Sequence, residues 1–263
     1  MTPLPMWRLA SREDFFVLGA VHAADDSIYP LDPRIDEAYR NAKVVAFETN
    51  PEVGLDVLAY QDLPAHRTFA DLVSTSTLRL LKQTANQLDL VQKPLLKQKP
   101  WACALDVKFA ALAKGGFKSE RGIDLMFWEK AKADKKETVP LEPPGHLSAQ
   151  LDGLDAKTQE TYLTYVLENL EGDVRSYPEV LSAWKSGDLG TLERLLLEKL
   201  RGTRPEMFQT LFVERNRLWT TELLKLADRP EPVLAIMGSG HLLGADGIVE
   251  LLGAAGKPLT QVQ

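Results

Sequence analysis

The chain has 263 residues, 44% apolar and 26% charged, with a formal net charge of −6. It is long enough to bury a sizeable core as one large domain or a domain with an insertion. The charge leaves no basic footprint for nucleic acid and no polybasic stretch for anionic lipid. A single cysteine, Cys103, excludes an internal disulfide and cannot alone build a thiolate metal site; its apolar, helical context makes it a buried thiol. No run approaches the roughly 18 consecutive apolar residues of a membrane span. Met1-Thr2-Pro3-Leu4-Pro5-Met6-Trp7-Arg8 shows no positive segment leading into an apolar one. As it stands the chain is expected to be cytoplasmic, or a periplasmic or envelope protein if a leader precedes it.

Phe15-Phe16-Val17-Leu18 is a short apolar run closed by Gly19, the pattern of a buried strand. His22 follows, then a loop through Asp25 and Pro30. Asp32-Pro33 gives an N-cap followed by proline at the first helical position, with the helix running to about Asn41. Lys43 to Phe47 is the second strand and ends on Glu48. Strand, helix and strand within about 35 residues is a βαβ unit, which implies parallel pairing.

From about 52 to 135 the chain turns mostly helical, with apolar residues at three- and four-residue spacings over 77–87, 101–113 and 124–133. Lys93-Pro94 and Lys99-Pro100 separate helices, and Gly122-Ile123-Asp124 opens another. Thr138 to Leu141 is a strand ending on Glu142; Pro140 makes it an edge strand. Helices are expected over 158–170, 178–186 and 189–201. A longer one spans 205–226, with an apolar stripe of Phe208, Leu211, Phe212, Leu218, Trp219, Leu223 and Leu226. Arg215 lies on that stripe, and a guanidinium aimed at a core needs a carboxylate, a carbonyl or a ligand. The plain alternative is an Arg–Glu bridge between helix and sheet. Val233 to Met237 is the last buried strand, followed by Gly238-Ser239-Gly240-His241, a short helix over 248–254 and an edge strand over 257–262.

The fold class is therefore α/β: a mainly parallel sheet flanked by helices, with a large helical insertion. We expect one domain over 1–263. Its sheet-forming parts are about 12–50, 136–143 and 230–263, and helices at about 52–135 and 150–226 cover the rim.

Both Gly19-Ala20-Val21-His22 and Gly238-Ser239-Gly240-His241 read Gly-x-x-His after a strand. In parallel α/β sheets, ligands bind beyond the carboxyl ends of the strands. His22, Glu48, Glu142 and His241 all stand just past such ends. Two histidines and a carboxylate suit a divalent metal with open positions, as in hydrolytic sites. Asp25 or Asp26 is a candidate to support the first histidine or to join as a ligand. The plain alternative for each histidine alone is a structural or exposed side chain, and His66 and His146 are read as surface. A dinucleotide loop fails because the third glycine of Gly238-x-Gly240-x-x-x-Gly244 is one residue late and no later strand and acid follow. A nucleophile elbow fails because Met237-Gly238-Ser239-Gly240 lacks the flanking glycine in register.

These segments, taken in order, resemble the TraB/GumN family, which is related to the TIKI proteins and more distantly to erythromycin esterase and the ChaN haem-binding lipoprotein. The matching stretches are Leu18 to Asp25 with Tyr29-Pro30-Leu31, Val45 to Glu48, Gly122-Ile123-Asp124, Leu141-Glu142, Ala183 to Leu189, Glu214 to Trp219 and Gly238 to Gly247. The resemblance implies an erythromycin esterase/ChaN-like fold and a metal-dependent hydrolase, a peptidase using manganese, cobalt or zinc on a peptide or small-molecule substrate. It implies metal binding by His22, His241 and Glu48 and catalytic roles for Glu48, Arg215 and Asn216. Arg215 would hold a substrate carboxylate or a developing oxyanion, and Glu48 would be ligand or general base. Asp25, Asp124, Glu142 and Ser239 are candidates for supporting or substrate-contacting roles. The alternative is a non-catalytic, regulatory protein that captures a peptide or haem at the same place. Many family members begin with a leader or membrane segment, and this chain shows neither.

Overall fold

A computed structural model describes residues 2–50 and 61–263. The beginning of the predicted helical stretch, 52–60, lies outside the described residues. The chain divides into two compact units. One comprises Met1–Pro51, Lys118–Pro143 and Pro178–Gln263 and holds the whole sheet; the other comprises Glu52–Phe117 and Pro144–Tyr177.

The first unit is α/β. Its strands are β1 Met6–Leu9, β2 Phe15–Ala20, β3 Val44–Phe47, β4 Glu137–Pro140, β5 Val233–Gly238 and β6 Leu259–Gln261. They pair in the order β4-β3-β5-β2-β1-β6. Neighbours β4, β3, β5 and β2 run parallel, and β1 runs antiparallel to both β2 and β6. The short apolar runs become central strands because both faces are covered: every residue of β3 and β5 is buried. Burying each large aliphatic side chain there is worth roughly 1.5–3 kcal/mol. Pro140 does end an edge strand, where its missing N–H costs no ladder bond. Strand β1 was not predicted. Its four residues bury three side chains and expose Arg8, a pattern too short to stand out beside two prolines.

The crossovers carry the helices. Pro33–Asn41 links β2 to β3, with Asp32 accepting from the Arg34 N–H and Pro33 at the first turn as the sequence indicates. Ile123–Ala133 leads into β4, and the two helices meet where the Tyr39 and Phe127 rings lie 5.0 Å apart. Glu214–Ala227 leads into β5, and Ile248–Ala254 joins β5 to β6.

Two predicted helices differ in detail. The stretch 189–201 contains a π-helical segment, Arg194–Glu198, and the stretch 205–226 contains another, Gln209–Val213. A π turn holds more residues than an α turn and rotates the residues after it about the helix axis. Leu218, expected on the buried stripe, is half-exposed, while Arg215 and Asn216 are buried beside Trp219. The predicted helices 158–170 and 178–186 are one helix, Ala156–Ser186, with Pro178 inside it. Proline in a helix interior costs about 3 kcal/mol. Leu163, Val166, Leu167 and Leu170 are buried in the second unit, and Val180, Leu181 and Trp184 are buried in the first.

In the second unit, helices Thr75–Gln87 and Pro100–Lys114 bury Leu81, Ala85, Trp101, Cys103 and Val107. Glu160 accepts from the Ser74 N–H at 2.7 Å and the Thr77 hydroxyl at 2.6 Å. Cys103 is buried and free, as its context implied. Among the described residues, no helix is long and apolar enough to cross a membrane.

Candidate functional site

The four parallel strands end on the same rim of the sheet, and each end delivers a polar side chain. Register sets their heights. Ala20 pairs with Gly238, and Phe47 pairs with Ile236, so β5 reaches two residues beyond the end of β3. Glu48, the next residue after β3, thereby meets the end of β5 and accepts the Gly238 N–H on Oε1 at 2.6 Å. The β3–β4 ladder continues past its last pair, since the Glu142 N–H donates to the Glu48 carbonyl at 3.0 Å. Two carboxylates on adjacent strand ends are thus held side by side, an arrangement that demands a cation between them.

Arg215 is that cation. Its Nε and Nη2 donate to Glu142 at 2.9 and 3.0 Å, and Nη2 also reaches Glu48 Oε2 at 3.2 Å. Nη1 donates to the Leu211 carbonyl at 3.4 Å and meets His241 Nε2 at 3.3 Å. A guanidinium has five N–H donors, and these contacts engage them all. Arg215 is 5% exposed, and its guanidinium lies 4.4 Å from the centre of the Trp219 ring. Trp219 Nε1 donates to Glu142 Oε2 at 3.1 Å. The Arg–Glu bridge foreseen as the plain alternative is therefore present, with Glu48 extending it. Trp219 was missed as a site residue; its position four after Arg215 on a helix was the available signal.

The two histidines have different surroundings. His22 Nδ1 is 2.8 Å from Asp124 Oδ2, and its Nε2 is 3.6 Å from Glu48 Oε1. Its side chain is 41% exposed, against 15% for Glu48 and 7% for Arg215. His241 is 5% exposed. Its ring lies between Phe212, at 4.8 Å, and Trp219, at 4.3 Å. Its Nδ1 is 2.6 Å from Asn216 Oδ1, and Asn216 Nδ2 donates to the Asp246 carbonyl at 2.8 Å. That second bond leaves Oδ1 as the acceptor, so His241 Nδ1 carries the proton.

Burial alone lowers the pKa of both rings, but the outcomes diverge. For His22 the charges of Asp124 and Glu48 outweigh burial and lift it to about 9. For His241 burial dominates, joined by repulsion from Arg215, and pushes it down to about 3. Burial would raise Glu48, yet His22, Arg215 and the Gly238 N–H overcome it and hold the carboxyl at about 2.

Of the supporting candidates, Asp124 and Glu142 join the site. Asp25 instead caps the turn Asp26–Ile28, accepting from the Ser27 N–H. Ser239 donates to the Ala20 carbonyl at 3.0 Å, which ties β5 to β2. His66 is exposed and His146 half-buried, both in the other unit.

Gly238 matters for space rather than for backbone angles. A Cβ there would stand 2.7 Å from His22 Nε2 and 3.2 Å from Glu48 Oε1. The glycine therefore keeps the volume between those atoms clear. At 3.6 Å they are too far apart for a hydrogen bond. Two tetrahedral ligands of an ion at about 2.1 Å stand about 3.4 Å from one another. The separation is close to that of two ligands of one ion. Among the described residues, no group of three or more His, Cys, Asp and Glu side chains is gathered as an ion-holding cluster. A cavity of about 540 Å³ lies elsewhere, lined by Arg8, Phe16, Glu37 and Gln261 among others.

The chain is similar to an uncharacterized protein of Escherichia coli strain K12, YbaP, with 22% identity over 249 residues that cover 93% of this chain and 89% of that one. No solved structure matches. The profile of the TraB/PrgY/gumN family aligns with residues 5–261, and with that coverage the chain belongs to this family.

Proposed function

We propose that the protein is a metal-dependent hydrolase, with peptides as the substrate class. His22 Nε2 and Glu48 Oε1 would hold the ion. The observation that carries this reading is the 3.6 Å gap between those two atoms, kept clear by Gly238 at the more exposed edge of the site. A bound divalent ion of the manganese, cobalt or zinc type would supply Lewis acidity to a carbonyl and lower the pKa of water.

The chain's own residues supply the rest. Asp124 holds the His22 ring so that Nε2 faces Glu48. Arg215 and the Gly238 N–H keep Glu48 ionised, so it serves better as an ion donor than as a general base, for which a pKa near the working pH is needed. Arg215 has no N–H left for a substrate carboxylate or an oxyanion. His241 joins the ion only if Arg215 gives up its Nε2.

One observation favours a second reading. With no third metal-binding side chain beside the pair among the described residues, the site would capture a peptide or haem without cleaving it. Digestion of a peptide library, with and without manganese, cobalt or zinc, separates the two. Cleavage that requires both the ion and His22 supports the hydrolase, whereas retained binding without cleavage supports capture. Equal ion content in the wild type and in the His22→Ala/Glu48→Gln protein would sink the ion site.

A further inference from the structure

We infer that the two Gly-x-x-His histidines do different jobs: Asp124 positions His22 as the one that meets ion and substrate, while His241 is a buried positioning residue for Arg215. The inference deepens the hydrolase reading and rests on it for the identity of the ion.

Asp124 is carried to His22 by a specific local fit. The Ile123 N–H donates to the Val21 carbonyl at 3.0 Å, which docks the start of helix Ile123–Ala133 on the end of β2. Gly122 allows that approach, because a Cβ there would stand 2.6 Å from the His22 carbonyl oxygen. Asp124 then falls in the first turn of the helix, where the N-terminal dipole favours a negative charge. Its Oδ2 accepts from the His22 Nδ1–H, and its Oδ1 is buried without a hydrogen-bond partner among the described residues. An ionised acceptor fixes the ring and strengthens Nε2 as a donor to an ion.

His241 has none of this. Its orienting acceptor is the neutral amide of Asn216, two aromatic rings enclose it, and its Nε2 faces the Arg215 guanidinium. It supplies an acceptor that helps to anchor Arg215, which in turn holds Glu48 and Glu142.

With only four histidines in the chain, selective ¹⁵N-histidine labelling resolves each ring in the metal-free protein. The wild type should show two solvent-protected imidazole Nδ1–H protons. Asp124→Ala should remove that of His22, Asp124→Asn should restore it, and Asn216→Ala should remove that of His241. Persistence of the His22 signal in Asp124→Ala overturns the inference. Zinc titration by calorimetry gives the second arm. Asp124→Ala should weaken binding by about 10- to 100-fold, whereas Asn216→Ala and His241→Gln should stay within about threefold of wild type. An equal or larger loss in either His241-side variant overturns the division of labour. If the wild type binds no zinc, the hydrolase reading loses its zinc site and the protected-proton arm decides the inference alone.

Discussion

Replacing Arg215 by methionine removes the guanidinium while keeping an unbranched chain of similar length in its channel. Glu142, 4% exposed, loses the two bonds of 2.9 and 3.0 Å and keeps only the Trp219 indole N–H. Glu48 loses its 3.2 Å partner on Oε2, and the two carboxylates then face one another from adjacent strand ends. Hydrogen bonds to charged groups contribute about 1.5–3 kcal/mol each, and stranding one partner of a buried ion pair costs about 3–5 kcal/mol. For a chain of this size each kcal/mol moves the melting temperature by roughly 2–4 °C, so Arg215→Met should lower it by roughly 6–20 °C. Near-UV circular dichroism follows the transition well, because Trp219 lies against the guanidinium. Adding Glu142→Met should recover at least half of the loss, since it removes the uncompensated charge. A single variant that melts within about 2 °C of wild type would refute the clamp, and so would a double variant less stable than the single.

Three further outcomes are expected. Gly238→Ala should keep the wild-type far-UV spectrum but lose ion binding by at least tenfold in calorimetry, because its methyl fills the gap between His22 Nε2 and Glu48 Oε1; unchanged affinity would remove the gap from consideration. Gly187→Ala should destabilise by about 1–2 kcal/mol or more in urea, since φ is +64° and a Cβ would strike the Pro3 carbonyl; a neutral result would contradict that local geometry. Burial would raise the Glu160 pKa, but bonds from Thr77 and Ser74 outweigh it and lower it. A lowered folded-state pKa gives stability that is present above the unfolded value of about 4.3 and lost as pH falls through the folded one. Glu160→Gln should therefore flatten the acid limb of the stability curve, and an unaltered limb counts against it.

The strand ends could be read from the chain because each rests on local chemistry. Val44 to Phe47 and Val233 to Met237 are runs too short for helices and too apolar for a surface, and a glutamate or glycine closes each. Parallel pairing then places His22, Glu48, Glu142 and His241 on one rim. Which of them touch could not be read, because the contacts depend on register and on residues far apart. Asp124 is 102 positions from His22, and Glu142 is 73 from Arg215. The π segment before Glu214 leaves no mark in the apolar spacing, which put Arg215 on the buried stripe but put Leu218 there as well, and Leu218 is half-exposed. Asp25 shows the opposite error. It lies three residues from His22 and is a sequence candidate to support it, but Ser27 offers it a nearer N–H and it closes a turn instead.

Taken together, these contacts leave two atoms facing one another at the more exposed edge of the site. Glu142 is held by three N–H bonds from Arg215 and Trp219, Arg215 has every donor engaged, and His241 has both ring nitrogens committed. Glu48 Oε2 is held by Arg215 and His22 Nδ1 by Asp124. At the more exposed edge, Glu48 Oε1 accepts a single N–H and His22 Nε2 has no partner within hydrogen-bonding distance among the described residues, so these two atoms can take an incoming group. They also belong to the least buried of the strand-end side chains. On the proposed reading, substitutions of Arg215 or Glu142 should act through the placement of Glu48, and their effects should be strongly non-additive with Glu48→Gln. Variants of His22 and Asp124 should form a second coupled pair, because one holds the ring that the other presents.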